Sequence, residues 1–490
     1  MSYNADSNLS TSEISIQDIN NEVKHLLDQF QPVPHEKLLK ELLGQVERID
    51  FRAIVGLADG SDKLSRKHYL VACVEQVLVL AKQNSWGMCQ HNGKVYLYNG
   101  AFWSSITEEE LQNFLGEAAE KMGVDKFDAR HFLFREQLLK QFMCTANLTK
   151  PVIRDDVVLV NLQNGTFEIS PHKQILRAPD PADFLTYQLP FAYDPAAKAP
   201  AFLGFLDHVV PDGNLQLILA EFVGAVFLRG KTLKLEKALL LYGTGANGKS
   251  VFFEILNALL GPNNVSNHSL QNLTDNSGQY RAMIADKLVN YASELNGRMG
   301  TDMFKQLVSG EPVGARHLYK DPIIIDRYAK LIFNCNELPK EVEHTHGFFR
   351  RFLIIPFEVT IPEEKQDREL AGKIIAAELP GIFNWALEGL KRLLQQKTFT
   401  YSDVVQKQVA QFRQESDSVM MFLDEEYLEP CPEMCRPLKE LYQAYRAFCV
   451  ESGYHACALK TFSARLKAAG YHMERKNFGQ AIYLRKKVNY

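Results

Sequence analysis

The chain has 490 residues, of which 46% are hydrophobic and 23% are charged, close to the average of soluble globular proteins. This length predicts about three domains, and the composition argues against disorder over most of the chain. The formal net charge of −4 excludes a globally basic protein, so any surface that binds nucleic acid must be a local cluster of Lys and Arg.

The first part of the chain predicts a flexible arm followed by a mixed domain. Residues 1–20 are polar and rich in Ser, Asn and Asp, as in a loose terminus. Residues 21–160 show helical spacing, then short strands with Asn-Gly turns, then a helix that begins with a capping box of Thr107 and Glu110. We therefore expect an α+β accessory domain over 21–160.

The next region leads into an alternating pattern of strands and helices. A hairpin is predicted at Asn164-Gly165, and the Pro-, Ala- and Asp-rich segment Ala178–Ala201 is typical of a linker. Helical spacing follows over Phe202–Arg229, and strands alternate with helices from Ala238 to about Phe357. This alternation predicts an α/β domain with a parallel sheet.

Several features exclude a membrane or secreted protein. The longest apolar runs, Tyr69–Leu80 and Leu217–Leu228, are too short to cross a bilayer, and no signal peptide precedes them. The eight cysteines are scattered, and the spacing of Cys431 and Cys435 is a weak match to a zinc site. We expect a reduced, cytosolic protein.

One segment matches the phosphate-loop pattern G-x-x-x-x-G-K-S in full. It consists of Gly243, Thr244, Gly245, Ala246, Asn247, Gly248, Lys249 and Ser250. In such a loop the glycines let backbone N–H groups turn toward phosphate oxygens, the Lys249 ammonium contacts the β- and γ-phosphates, and the Ser250 hydroxyl binds Mg²⁺. The strand pattern before it and the helix pattern after it are the context that this loop requires.

Two later strands are predicted to end in residues that act on the attacking water. Leu288–Glu294 ends in an acid, so Glu294 would orient or deprotonate that water. Ser293 stands where such strands often carry a first acid, which leaves Ser250, phosphate and water to hold Mg²⁺. Leu331–Asn336 ends in an amide that would contact the γ-phosphate or the water. The alternatives are a surface glutamate and a turn asparagine.

Arg350 and Arg351 follow the second of these strands. A guanidinium inserted at the γ-phosphate of a neighbouring subunit stabilises the charge of the transition state, so the pair predicts an arginine finger. The alternative is a salt-bridged surface pair.

In order and spacing, these segments resemble the superfamily III helicases, above all the phage- and plasmid-type primase–helicase family that includes the poxvirus helicase–primase. The resemblance covers about Asn161 to the C-terminus. It rests on Ala238–Ser250, Ser293-Glu294, Lys305–Glu311, Ala315-Arg316, Tyr319-Lys320, Asn336–Pro339 and Arg350-Arg351, with Asn164-Gly165, Tyr193–Pro195, Tyr442, Tyr445 and Phe462–Leu466 outside the central part.

The resemblance implies a hexameric ring that hydrolyses ATP with Mg²⁺ at its subunit interfaces and translocates on DNA. The fold class expected is an α/β AAA+ P-loop ATPase domain with an α+β N-terminal region and a C-terminal winged-helix-like domain. The corresponding boundaries are a pre-helicase region at 161–230, the AAA+ domain at 231–400, a helical linker at 401–437 and the winged-helix-like domain at 438–490.

Two clusters are candidate DNA contacts. Residues 316–325 predict a hairpin, which in this family projects into the ring's channel, so Lys320 is expected near its tip with Arg316 and His317 behind it. The segment from Lys460 to Tyr490 carries eight Lys or Arg against one acid. The candidate contacts in this segment are Arg465, Lys467, Arg475, Lys476, Arg485 and Lys486.

The leading interpretation is a replicative DNA helicase of a phage, plasmid or integrated element, acting on single-stranded or forked DNA in the cytoplasm of a prokaryotic cell. The adjacent Asp155 and Asp156 would point to opposite faces of a strand, so no paired acids of a primase are evident before residue 161. A separate primase would then be a partner. The alternatives are an ATP-switched initiator that melts an origin, and a P-loop ATPase of assembly or defence.

Overall fold

The computed structural model describes residues 32–57, 63–91, 94–146, 157–170, 173–228, 233–293, 300–319, 321–339 and 344–487. The chain divides into two compact units, Met1–Tyr193 and Asp194–Tyr490. The hairpin at Asn164-Gly165, which was expected to lie beyond a boundary at residue 160, belongs to the first unit. Within the described residues, no helix is both long and apolar enough to cross a membrane.

The first unit combines helices with two antiparallel sheets. Its helices are α1 (His35–Gln45), α2 (Phe51–Val55), α3 (Arg66–Gln83), α4 (Glu108–Met122), α5 (Lys126–Arg130) and α6 (Phe132–Thr145). Its strands are β1 (Gly87–His91), β2 (Lys94–Tyr98), β3 (Trp103–Ile106), β4 (Val158–Leu162), β5 (Gly165–Ile169) and β6 (Gln174–Arg177), in sheets of order β1-β2-β3 and β4-β5-β6. The predicted hairpin β4–β5 is confirmed.

Local sequence signals explain where these elements begin and pack. The capping box of α4 is confirmed: the Thr107 N–H donates to Glu110 Oε2 at 2.8 Å, and the Glu110 N–H donates to Thr107 Oγ1 at 3.1 Å. These two bonds satisfy donors that the first turn of a helix otherwise leaves unpaired. Leu38, Val74 and Leu138 are fully buried in the helical core.

The boundary between the two units, after Tyr193, falls within the predicted linker 178–201, but the residues before it pack in the first unit. Apart from a 3₁₀ turn at Pro181–Asp183 the segment is irregular, but Phe184 and Tyr187 are fully buried. The Asn161 amide donates to the Tyr187 carbonyl at 3.0 Å, and the Trp103 indole donates to the Pro181 carbonyl at 2.9 Å. Proline-rich composition concealed the apolar residues that fasten this chain to the sheets.

The second unit contains a parallel sheet between helices and a smaller antiparallel sheet. Its helices are α7 (Pro200–Val209), α8 (Gly213–Ala225), α9 (Lys249–Leu260), α10 (Leu270–Leu273), α11 (Gln279–Met283), α12 (Thr301–Ser309), α13 (His346–Phe349), α14 (Leu370–Gln396), α15 (Asp403–Glu415), α16 (Ser418–Glu425), α17 (Leu438–Glu451) and α18 (Leu459–Ala468). Its strands are β7 (Ala238–Tyr242), β8 (Val265–Ser266), β9 (Val289–Ala292), β10 (Val313–Arg316), β11 (Pro322–Ile325), β12 (Lys330–Cys335), β13 (Phe352–Pro356), β14 (Leu428–Pro437), β15 (Met473–Lys476) and β16 (Gly479–Lys486).

The larger sheet has the order β13-β7-β12-β9-β8, and every neighbouring pair in it is parallel. Leu239, Ile332 and Ile354 are fully buried because both faces of the sheet are covered, as parallel strands require. The predicted mixed α/β fold with a parallel sheet is confirmed. The strand that precedes the phosphate loop, β7, lies inside the sheet between β12 and β13.

The smaller sheet has the order β14-β16-β15 and packs with α16, α17 and α18. The predicted C-terminal hairpin is present as β15–β16. Strand β14 lies within the predicted linker 401–437, yet Leu428 pairs with Lys486 in the sheet, and the register shifts between Pro430 and Cys435. An edge strand with a bulge tolerates prolines that would break a central strand, so the composition concealed this strand.

Candidate nucleotide site

The phosphate loop connects the end of β7 to the first residue of α9. Gly245, Ala246 and Gly248 have φ values of +118°, +48° and +87°, a left-handed course that favours glycine. At Gly243 a Cβ would collide with the side-chain amide of Asn247 and the carbonyl oxygen of Phe357. The loop can follow this path because its sequence places glycines at the crowded positions.

Lys249 is nearly fully buried within this loop. Its Nζ donates to the Gly243 carbonyl at 2.7 Å and to Asn247 Oδ1 at 2.8 Å. The Asn247 amide in turn donates to the Phe357 carbonyl at 2.9 Å, and the Ile361 N–H donates to the Ala246 carbonyl at 2.8 Å. Burial lowers the pKa of the Lys249 ammonium. These bonds hold the loop in place around the Lys249 ammonium.

A cavity of about 890 Å³ extends from the loop. Its polar lining comprises Asn247, Lys249, Ser250, Glu254, Ser293, Asn334, Asn336, His208, Lys365, Gln366, Asp367 and Arg368. Its apolar lining includes Ala201, Phe205, Ile361, Leu370 and Ala371. The lining thus offers both apolar surface and charged groups, and the volume is that of a small-molecule site.

The structure brings together several residues that the sequence placed in one site. Lys249, Ser250, Ser293 and Asn336 all line the cavity, because the carboxyl ends of β7, β9 and β12 meet at one edge of the sheet. Glu294 directly follows Ser293 but lies outside the described residues.

Sequence reasoning missed Asn334, which also lines the cavity. Asn334 lies on β12 near its carboxyl end, two residues before Asn336, so the position of the strand end was itself a signal for it. The Asn334 Oδ1 atom is buried and, within the described part of the chain, has no hydrogen-bond partner. A buried carbonyl oxygen without a partner fits a site that a ligand or its water completes.

Sequence reasoning also missed a second part of the cavity wall, which contacts the loop directly. Helix α7 contributes Phe205 and His208, and the segment before α14 contributes Lys365 and Arg368. A Cβ at Gly248 would approach Phe205 to 2.9 Å, so helix and loop are in direct contact. Only spatial proximity reveals this wall, since α7 precedes the loop by about forty residues of ordinary helical sequence.

Neither arginine of the predicted finger lines the cavity of its own chain. Arg351 is buried, and its guanidinium donates to the Gly347 carbonyl and to Ser309 Oγ at 3.1 Å. The Arg350 side chain is 45% exposed and pairs with Glu236. The two neighbours therefore differ: Arg351 is fastened inside the fold, whereas Arg350 lies at the surface.

The predicted hairpin before β12 is confirmed as β10–β11, with Arg316 opposite Pro322. Arg316 is exposed and His317 is partly buried. Lys320, expected near the tip, lies outside the described residues.

Four of the predicted C-terminal contacts interact with groups of their own domain. Arg465 donates to Asp417 at 3.1 Å, Arg485 to Glu429 at 2.6 Å and Lys486 to Glu426 at 3.1 Å, while the Lys476 ammonium lies 5.0 Å from the Tyr483 ring centroid. The three acidic partners lie before residue 460, so the charge count from Lys460 to Tyr490 did not include them. That count therefore overstated the net positive charge of this surface. Lys467 and Arg475 are exposed.

Known families match on both sides of this site. Residues 63–211 match the family described as "D5 N terminal like", and residues 414–488 match "Poxvirus D5 protein-like". The intervening residues 241–351, which include the whole phosphate loop, match a family of unknown function, DUF5906. Over these segments the chain is similar to the D5-like primase–helicase family. The resemblance inferred from its motifs is confirmed.

Individual proteins similar to this D5-like chain are viral. A "Putative helicase" of Acanthamoeba polyphaga mimivirus is 27% identical over 212 residues, which are 41% of this chain and 22% of that protein. A "Putative helicase" of Invertebrate iridescent virus 3 is 21% identical over 345 residues, which are 61% of this chain and 36% of that protein. The D5-like chain thus spans about a third or less of these curated relatives.

A solved structure, the apo form of the NrS-1 C-terminal region, is 13% identical and has a TM-score of 0.43. The match covers 85% of this D5-like chain and 99% of that chain.

Proposed function

We propose that this D5-like chain is an ATPase that drives unwinding of DNA. The observation that carries the proposal is the phosphate loop, which holds Lys249 buried at the edge of the parallel sheet and opens onto a cavity that Ser250, Ser293 and Asn336 also line. The names of the viral relatives support a helicase-related role.

The polar residues that line the cavity beside the phosphate loop fit a nucleoside triphosphate. ATP with Mg²⁺, when bound, supplies the phosphoryl group and the charge to be stabilised. Lys249 holds positive charge beside the phosphates, and the Ser250 hydroxyl would hold the metal. Asn334 on β12 and Asn336 just beyond its end would position the water that Glu294 orients or deprotonates.

The apolar residues that line the same cavity fit the base. Phe205 of α7 and Leu370 of α14 present apolar surface, and His208 adds a polar group beside them. The carboxyl edge of a parallel sheet, where β7 lies between strands that follow it in sequence, is the usual place for a nucleotide in α/β folds.

The AAA+ assignment and the hexameric ring belong to the proposal. Arg350 is half-exposed and does not line the cavity of its own chain, which fits a residue that acts at the site of a neighbouring subunit. We expect the ring to translocate on single-stranded or forked DNA through the β10–β11 hairpin. The sheet β14-β16-β15 with α17 and α18 would act as the winged-helix-like domain, with Lys467 and Arg475 among its exposed cations.

A separate primase as partner stays a prediction. A prokaryotic host also stays a prediction, although the two relatives described above come from viruses named after an amoeba and after invertebrates. The two alternatives, an origin-melting initiator and an ATPase of assembly or defence, share the ATP site. They differ from a helicase in whether DNA stimulates ATP hydrolysis and in whether the DNA duplex is unwound.

The test measures ATP hydrolysis and unwinding of a forked duplex. Lys249→Ala should abolish hydrolysis while Lys391→Ala, at an exposed position of α14, should not. Glu294→Gln should bind ATP but turn over about 10²-fold more slowly. Near wild-type hydrolysis by Lys249→Ala would refute the ATP site. ATP hydrolysis that DNA stimulates without any unwinding would favour the origin-melting initiator. ATP hydrolysis that DNA does not stimulate would favour an ATPase of assembly or defence.

A further inference from the structure

The hairpin β10–β11 is firmly attached at its base. Arg281 of α11 donates to the Gly314 carbonyl at 2.7 Å, and the Arg316 N–H donates to the Gly278 carbonyl at 3.1 Å. Val313 and Ile325, which face each other across the ladder, are buried in the core of the unit. A rigid base means that the tip is held at a defined position relative to the parallel sheet.

The tip, in contrast, presents apolar side chains to solvent. Tyr319 is 92% exposed, Leu318 is 60% exposed and Ile324, on β11, is 76% exposed. Single exposed apolar residues are common on protein surfaces, but Leu318 and Tyr319 form an apolar patch at the turn, while Ile324 lies farther back on β11, opposite Gly314. The patch contributes little to folding, because its side chains touch little of the chain.

The backbone conformation at the tip does not explain why a tyrosine occupies position 319 either. Tyr319 has φ +59°, in the left-handed region that favours glycine or asparagine and is unfavourable for an aromatic residue. Residues held in such conformations without a local reason often belong to ligand contacts. Neither burial nor turn geometry therefore accounts for a tyrosine at this position.

The charges near the tip are mixed. Arg316 is exposed at the end of β10, but Asp321 is exposed at the start of the returning strand. Among the described residues of the hairpin, the exposed acid offsets the exposed base, so their charges do not by themselves favour binding of a phosphate group. The feature that remains is the flat face of an exposed aromatic ring, which is the group that proteins use to stack on unpaired bases.

We infer that Tyr319 stacks on a base of single-stranded nucleic acid. The inference rests on the proposed function and specifies the kind of contact: the hairpin holds an unpaired base by its ring face, beside whatever phosphate contacts the cations make. Because bases in a duplex are already stacked on one another, this contact selects single-stranded nucleic acid, and it is tolerant of sequence since every base has a π-face.

The experiment compares two oligonucleotides of equal length and charge, a fluorescein-labelled oligodeoxyadenylate and an abasic oligomer. Tyr319→Ala should weaken binding of the oligodeoxyadenylate by about 5- to 100-fold, the loss expected for one base–aromatic stack. Binding of the abasic oligomer should not change, because it has no base to stack. Tyr319→Phe keeps the ring and should bind both as the wild type does.

A matched control is Tyr401→Ala, which removes another tyrosine, 67% exposed and outside the hairpin, and should change neither affinity. Equal weakening of both oligomers by Tyr319→Ala, no weakening of either, or loss in Tyr319→Phe as large as in Tyr319→Ala would each overturn the stacking contact. A wild-type protein that binds neither oligomer would instead refute the nucleic-acid role itself, and the stacking contact with it.

Discussion

Two asparagines on neighbouring strands of the parallel sheet show how differently one residue type is used. Asn290 of β9 is fully buried and satisfied: its Oδ1 accepts from Ser266 Oγ at 3.0 Å and from the His268 N–H at 2.9 Å, and its amide donates to the His268 carbonyl. Asn334 of β12 lines the cavity with its Oδ1 unpaired within the described residues. The first arrangement fastens the loop that contains His268, whereas the Asn334 Oδ1 makes no such internal bond within the described residues.

The contrast predicts opposite effects of the same substitution. Asn334→Ala should lower the turnover of ATP at least ~10-fold with little change in stability, because it removes a group directed at the site and no internal bond of its Oδ1. Asn290→Ala should lower the free energy of unfolding by about 1–3 kcal/mol, because Ser266 and His268 lose their acceptor. Urea unfolding and steady-state kinetics measure both quantities. A stability loss in Asn334→Ala as large as in Asn290→Ala would show that Asn334 is structural.

At the scale of elements, one carboxylate positions the helix that covers the phosphate loop. Glu378 of α14 is buried, and its two oxygens accept from the Ala201 and Phe202 N–H groups at 3.0 and 2.9 Å. These are donors of the first turn of α7, which a helix cannot satisfy internally and which favour a negative charge. The cap therefore fixes the helix that carries Phe205 and His208.

We expect Glu378→Gln to lower stability by about 1 kcal/mol and to raise the KM for ATP a few-fold with kcat nearly unchanged. The reason is that the amide lacks the charge and offers only one acceptor oxygen, so α7 loosens against the loop while the catalytic groups stay in place. Glu388→Gln, on the exposed side of the same helix, is the control. An unchanged KM in a destabilised Glu378→Gln protein would show that the cap serves folding alone.

The same elements show what the sequence could and could not predict. The phosphate loop, the strands of the parallel sheet and the hairpin β10–β11 followed from turn residues and strand patterns, which are local signals. Strand β14 did not, because its prolines are tolerated only at the edge that β16 pairs with. The wall of the cavity formed by α7 and by Lys365–Arg368 was invisible, because tertiary packing brings together segments that carry no motif of their own.

At the scale of the whole molecule, the two arginines after β12 connect the fold to the proposed ring. Arg351 is held by Ser309 and Gly347 inside the chain, and its guanidinium also lies 3.9 Å from Glu236. Arg350 is 45% exposed and pairs with Glu236, whose side chain is only 13% exposed. Glu236 also pairs with Lys234 at 2.9 Å, so it keeps a cationic partner if Arg350 turns toward a neighbouring subunit. These contacts favour Arg350 over Arg351 as the finger.

Arg350→Ala should abolish ATP hydrolysis with almost no loss of stability, because the guanidinium would act at the γ-phosphate of the adjacent subunit. Arg351→Ala should instead lower the free energy of unfolding by about 1–3 kcal/mol, since it leaves buried partners unpaired. Mixing inactive Arg350→Ala with inactive Lys249→Ala under subunit exchange should restore part of the activity, because one kind of interface then combines an intact Lys249 with an intact Arg350. Hydrolysis that stays at zero across all mixing ratios, with exchange verified by labelled subunits, would place Arg350 in its own chain's site and remove the support for a ring.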